Sequence, residues 1–264
     1  MTTGETDTTD IWRDHVKGII NAQNDLVNPR GMPTLETLAK SITISMETPI
    51  VLCKIRKLSS GFMFGEANWI LSGSNDLLRI QPFMKHIGNY SDNGKTLYGA
   101  YGPHVVNQLE YCKRTLRHDQ DSRQAVLTIW QPRPELSKDI PCTVSMQFLI
   151  RDNTINTIVC MRSSDAYLGL PYDLFVFSCI TAKLRDLMGK RGLRLGNLTV
   201  FAGSSHIYQR DFAKAFNCSI NQANDDLYPG NQKHNQPWHD FDINASSGIV
   251  AELERVIKAG EYGN

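Results

Sequence analysis

The stretch KDIPCTVSMQFLI, residues 138–150, places Cys142 directly after Pro141 at the start of an alternating run. Val144, Met146, Phe148 and Ile150 share one face at period two, and Thr143, Ser145 and Gln147 share the other, the pattern of a half-buried strand. A thiol at that point is either a small packing residue, as most free cysteines are, or a nucleophile. A nucleophile needs cations nearby to hold a thiolate. Arg30, Arg123 and Arg162 punctuate the ends of strand-like runs, where Arg123 and Arg162 can also be plain exposed strand ends. Glu66 is the one carboxylate in SGFMFGEANWILS, residues 60–72, and Asp165 and Asp173 bracket the apolar AYLGLPY. A buried carboxylate is costly unless paired or protonated, and the plain account of each of these three is a capping or ion-pair role. Asp165 can accept turn N–H groups, and Asp173 can cap a helix over residues 174–188.

The elements that must position these side chains follow from periodicity. Residues 11–27 have apolar residues near helical spacing and predict a first helix, broken by NPRGMP. LAKSITISM (38–46) and PIVLCKI (49–55) predict strands, and residues 60–72 a largely buried helix closed by Gly73. Residues 87–104, rich in Gly and Tyr, predict a loop with a turn at Asn93-Gly94. Strands are expected at 124–130, 142–150 and 155–163, the last two forming a hairpin across Arg151–Asn153. A helix over 173–188, a strand over 195–208 and an amphipathic helix in GIVAELERVIKAG complete the pattern. Helices and strands mix without strict βα alternation, and no repeat or linker divides the chain. The expectation is one α+β domain over residues 1–264, with residues 1–10 as a flexible lead.

Composition narrows the function. Of 264 residues, 41% are hydrophobic and 21% charged, as in an ordinary globular protein. A net charge of +1 provides no field for nucleic acid or an acidic membrane, although a few local arginines suffice for one anionic small molecule. No apolar run reaches the length of a spanning helix, and the polar N-terminus has no secretory layout, so a cytoplasmic location is expected (host cytoplasm if the chain is phage-encoded). The six cysteines are scattered, with no CxxC and no zinc spacing, so free thiols and no metal are expected.

Taken together, the landmarks resemble those of the thymidylate synthase superfamily. MRSSDAYLGLPYDLFVFSCITAKL is similar to its RSxDxxLGxPxN signature and the long helix that follows. In family order come PRG at 29–31, GEANWILSGSND at 65–76, NGKTLYGAYG at 93–102, DSR at 121–123, PC at 141–142 and SHIY at 205–208. The resemblance spans residues 12 to 210 and implies a mixed β-sheet packed with helices, joined sheet to sheet in a homodimer with shared active sites. It implies that Cys142 adds to C6 of a pyrimidine nucleoside monophosphate, making C5 nucleophilic toward a one-carbon unit from the co-substrate 5,10-methylenetetrahydrofolate. Arg30, Arg162 and Ser163 would hold the 5′-phosphate, with Arg123 reaching in from the second subunit. His206 and Tyr208 would bond the sugar 3′-OH. Glu66 would organise a proton relay with Tyr101 beside it, and Asp165 would anchor the pterin.

Departures from the family pattern point to the substrate. Asp173 stands where thymidylate synthases have an Asn that reads uracil. A carboxylate can accept from cytosine N4–H, with one further proton shared with N3, whereas uracil O4 would meet it acceptor to acceptor. The expected substrate is therefore a cytidine nucleotide, and the chain resembles the dCMP/CMP 5-hydroxymethylase branch. Thr143 replaces the family's His after the nucleophile, and Gln124 replaces the second Arg of its D-S-R-R. Asn89 stands in place of a Trp that shields the one-carbon unit, which would let water in and favour a hydroxymethyl product. The leading expectation is a deoxycytidylate 5-hydroxymethyltransferase. The alternatives are a CMP hydroxymethylase of nucleoside-antibiotic biosynthesis, a dCMP methyltransferase, and a non-catalytic nucleotide- or RNA-binding relative.

Overall fold

A computed structural model describes residues 7–22, 24, 26–132, 135–221 and 240–260. Its centre is a five-stranded sheet of order β1-β5-β4-β3-β2, built from β1 (Thr34–Ser45), β2 (Val126–Thr128), β3 (Thr143–Arg151), β4 (Thr154–Asp165) and β5 (Arg194–Tyr208). The β4–β5 pair is parallel and the others antiparallel, so the sheet is mixed as expected. The β3–β4 hairpin closes as its sequence implies: Asp152 and Asn153 both take positive φ (50° and 55°), the paired left-handed geometry that matches strand twist.

Helices cover one face. They are α1 (Thr8–Ile20), α2 (Ser60–Leu71), α3 (Leu77–Ile80), α4 (Gly102–His118), α5 (Leu170–Met188), α6 (Phe212–Ile220) and α7 (Ile249–Ala259). On β4, Ile155, Val159 and Met161 turn inward to this layer, and α5 answers with Leu174, Phe175, Phe177 and Ile180, all buried. Burying each such side chain contributes about 1.5–3 kcal/mol before chain entropy is charged against it. At Gly65 a Cβ would lie 2.5 Å from the Phe83 ring, so α2 packs flush there only because that position has no side chain.

Several expectations change. Helix α1 begins at Thr8, with the Asp7 side chain accepting from Thr9 N–H, so residues 8–10 are ordered helix rather than a flexible lead; residues 1–6 lie outside the described residues. It ends at Ile20 rather than residue 27, and Val27 instead bridges to Thr34. Residues 49–55 are not a strand. Val51 and Cys53 are buried in alternation, but the Leu52 N–H donates to Thr9 Oγ1 (2.9 Å) rather than to a neighbouring strand. Helix α5 starts at Leu170, before residue 173, because Pro171 is well tolerated in a first turn where no N–H is required. Asp173 therefore does not cap the helix; Gly169 holds that position. Helices α3, α4 and α6 were covered by no expectation.

Candidate active site

A cavity of about 880 Å³ opens where the ends of β3, β4 and β5 meet the first turns of α4 and α5. Cys142, Glu66, Tyr101, Asp173, Arg30, Arg162, Ser163, Asp165, His206 and Tyr208 all line it. These side chains are far apart in sequence, and the sheet register brings them together. Parallel pairing sets Asp165 opposite His206 and Ser163 opposite Ser204, while Thr143 lies opposite Met161 on the antiparallel side.

The loop that carries Cys142 is fastened by Arg162. Its backbone N–H donates to the Cys142 carbonyl (2.8 Å), its Nε to Pro141 O (3.0 Å) and its Nη2 to Ile140 O (3.0 Å). The same Nη2 lies 3.7 Å from Cys142 Sγ. Burial nonetheless pushes the thiol up, against Arg162 and Arg30 and with the help of Asp173 and Asp139. The arginines reduce a desolvation penalty that they do not overcome.

Two carboxyls titrate near neutral pH. Burial, then the charge of Asp173, raises Glu66 to about 8. Burial, then Asp165, raises Asp173 to about 7. A first-turn position in α5 favours a carboxylate through the helix dipole, but here desolvation wins. Tyr101, buried beside them, is raised well above its ordinary value and accepts a hydrogen bond from Thr143 Oγ1 at 2.9 Å. Glu66, Asp173 and Tyr101 thus form a group able to donate as well as accept protons.

The proton on Asp173 alters the substrate argument. The clash with uracil O4 applies to the carboxylate. A neutral carboxyl offers a donor and an acceptor, so it can face cytosine N3 and N4–H or, with its oxygens exchanged, uracil O4 and N3–H. Discrimination then depends on how well the base shares the proton, and cytosine N3 is far more basic than uracil O4.

At the opposite wall, Ser163 Oγ lies 3.3 Å from His206 Nδ1, and burial lowers His206 so that its imidazole is neutral at pH 7. Asp165 Oδ1 accepts from the N–H groups of Leu168 (2.7 Å) and Tyr167 (3.0 Å), the turn role its sequence position allows. Arg30 sits at the rim with φ 54°, its exposed guanidinium lining the cavity.

One residue expected in this cavity, Asn89, is not in it. Arg123, expected to reach in from a second subunit, is exposed and outside this chain's lining. Asn89 is exposed as well. It belongs to a 3-10 helix, Lys85–Tyr90, whose three-residue turn puts Ile87 and Tyr90 on the cavity side and Asn89 off it. The argument that Asn89 admits water therefore falls. Other lining residues were not anticipated. Arg56 donates to the carbonyls of Tyr167 (2.8 Å) and Leu168 (3.2 Å) and stacks over the Tyr167 ring at 4.6 Å, bracing the loop that begins with Asp165. Tyr172 Oη accepts from Ser59 N–H (2.9 Å), and its ring meets Phe62 edge to face. Asp139 Oδ2 accepts from Gly99 N–H at 2.8 Å. Among the described residues, no group of His, Cys, Asp or Glu is placed to hold a metal ion, and no helix is long and apolar enough to cross a membrane.

Comparison with known proteins agrees with this geometry. The family model for thymidylate synthase matches residues 10–235. A deoxyuridylate hydroxymethyltransferase of Bacillus phage SP01 is 26% identical over 227 residues, covering 77% of this chain and 58% of that protein. A deoxyuridylate hydroxymethyltransferase of Pseudomonas phage M6 is 33% identical over 117 residues, 41% of this chain and 33% of its own length. A thymidylate synthase of Corynebacterium aurimucosum is 25% identical over 191 residues, 67% of this chain and 70% of its own. This chain therefore spans little more than half the length of the SP01 protein. The matched region runs from α1 past β5 and takes in the Cys142 loop, the Arg162–Asp173 segment and His206, and on that ground the chain belongs to the thymidylate synthase family.

Proposed function

We propose that this protein hydroxymethylates C5 of a cytidine monophosphate, with 5,10-methylenetetrahydrofolate as the one-carbon donor and water as the source of the hydroxyl. The observation that carries the reading is Asp173, a carboxyl raised to about 7 in the same cavity as Cys142. Such a group exchanges one proton with cytosine N3 at neutral pH while accepting from N4–H. Cys142 adds to C6, C5 attacks the one-carbon unit, and loss of the C5 proton releases tetrahydrofolate and leaves an exocyclic methylene on the base. Water addition to that carbon, followed by departure of the Cys142 thiolate, gives the hydroxymethyl product. Arg30 and Arg162 serve the phosphate. The apolar wall of Ile87, Tyr90, Leu168 and Tyr172, with Asp165 nearby, suits a flat pterin bearing N–H groups. The phage relatives' names support hydroxymethyl over methyl transfer. They also favour a second reading, a uridylate substrate, which a protonated Asp173 can accommodate.

Turnover of each nucleotide with methylenetetrahydrofolate separates these readings. The cytidylate reading expects kcat/KM for dCMP or CMP to exceed that for dUMP and UMP, and conversion of the uridylates alone would overturn it.

The shared-site dimer is part of the proposal. On the sheet face turned away from the helices, Ile158 (37% exposed) and Phe201 (41% exposed) stand in the open, with Leu149 and Cys160 beside them on neighbouring strands. A second copy laid across this face would cover the apolar stripe and could supply Arg123. Light scattering should give twice the chain mass of 29.8 kDa, and a monomer at assay concentration would contradict it.

A further inference from the structure

We propose that Asp139 is the general base that takes the proton from the water attacking the exocyclic methylene carbon. The proposal deepens the hydroxymethyl reading of the same cavity and rests on it. Asp139 lies on the nucleophile's own loop, just ahead of Ile140-Pro141-Cys142, and lines the cavity. One carboxyl oxygen, Oδ2, is committed to Gly99 N–H at 2.8 Å. The other, Oδ1, has no hydrogen bond among the described residues. A Cβ at Gly99 would stand 3.1 Å from Oδ1 and 2.6 Å from the Asp139 carbonyl, so the glycine keeps this oxygen uncovered. No Lys or Arg among the described residues forms an ion pair with the carboxylate. A half-buried carboxylate with a free oxygen and no counter-cation, beside a nucleophile, is costly to keep and well suited to accept a proton.

The other cavity carboxyls are less suited to this step. Glu66 holds its proton at neutral pH, Asp173 is taken up by the pyrimidine edge in the proposed reading, and Asp165 spends Oδ1 on two backbone N–H groups. Burial, and secondarily Asp92, raises Asp139 from the ordinary carboxylate range toward that of an effective base, partly offset by the Gly99 hydrogen bond.

In the step itself, a water O–H bond breaks and its proton goes to Asp139 Oδ1 as the oxygen bonds to the methylene carbon. The methylene π pair moves onto C5 and the adjoining C4. It then returns to form the C5–C6 double bond as the C6–S bond breaks, and Cys142 leaves as thiolate. Nothing is oxidised or reduced, and water is the only further reactant.

The competing account is that Asp139 merely braces Gly99 and so holds Tyr101 in place. Asp139→Asn separates the two, because its amide oxygen can still accept from Gly99 N–H while its basicity is lost; Asp139→Ala removes both. The assay uses full-length protein with 5-tritiated dCMP or CMP and methylenetetrahydrofolate. Tritium release reports methylene formation, and hydroxymethyl nucleotide reports hydration. For Asp139→Asn we expect tritium release in the first turnover near the wild-type rate, with product formation down about 100-fold. Added 2-mercaptoethanol, a nucleophile that needs no such base, should then trap the methylene as a thioether. Wild-type product formation in Asp139→Asn overturns the proposal. So does a parallel fall in tritium release and product, which would mark a structural role. A wild-type protein that yields 5-methyl nucleotide overturns the proposed function and this role together.

Discussion

Cys142→Ser should lower turnover by at least about four orders of magnitude while nucleotide affinity stays within a few-fold. The size of the effect follows from the chemistry. C5 of a pyrimidine is too weak a nucleophile to take up a one-carbon unit until a soft nucleophile has added at C6. A serine hydroxyl remains protonated in a cavity that already pushes the more acidic thiol up. Binding should survive because Arg30, Ser163 and His206, which line the same cavity, are untouched by the substitution. Arg162 keeps its bonds to the carbonyls of Ile140 and Pro141 whichever side chain follows. Stopped-flow turnover and equilibrium nucleotide binding, measured on one preparation, check both halves. Turnover within tenfold of wild type would return Cys142 to the packing residues.

Asp173→Asn should shift the ratio of kcat/KM for cytidylate over uridylate toward uridylate by about 100-fold or more. A carboxyl can place its proton on whichever oxygen faces N3. An amide carries its donors fixed on nitrogen, with an orientation set by its surroundings. Asp173 lies in the first turn of α5, its backbone N–H bonded to the Gly169 carbonyl at 3.0 Å. The substitution also removes the charge that helps raise Glu66 and Cys142. Both should fall, and loss of the cytosine reaction would therefore not come from a less reactive thiol. Steady-state kinetics with dCMP, CMP, dUMP and UMP on both proteins reads the shift directly. An unchanged ratio would leave Asp173 no part in reading the base.

The strands and the buried helix α2 were legible because local pattern and tertiary environment agree there. Residues 143–151 alternate because one face of β3 meets the helical layer, and residues 60–71 are apolar all round because α2 is enclosed. The chemistry-bearing residues were legible through their order along the chain rather than through any local signal: nothing near Glu66 or His206 reveals that they share a cavity. The failures have physical causes. The alternation of residues 49–55 is real burial without a strand partner, and it concealed Arg56, which braces the Asp165 loop. Helix α5 begins three residues ahead of the periodic run, with Pro171 as a first-turn residue. Asn89 was aligned by sequence to a shielding position, but 3-10 periodicity gives that wall to Ile87 and Tyr90. Asp139 lies in a polar loop with no period, and only the fold shows that its carboxylate reaches the cavity.

Product mass tests the central claim most directly. The protein, with methylenetetrahydrofolate and each of dCMP, CMP, dUMP and UMP in turn, should convert a cytidylate to a nucleotide about 30 mass units heavier, the addition of CH2O, and leave tetrahydrofolate. A product about 14 units heavier with stoichiometric dihydrofolate, or conversion of uridylates alone, would contradict it.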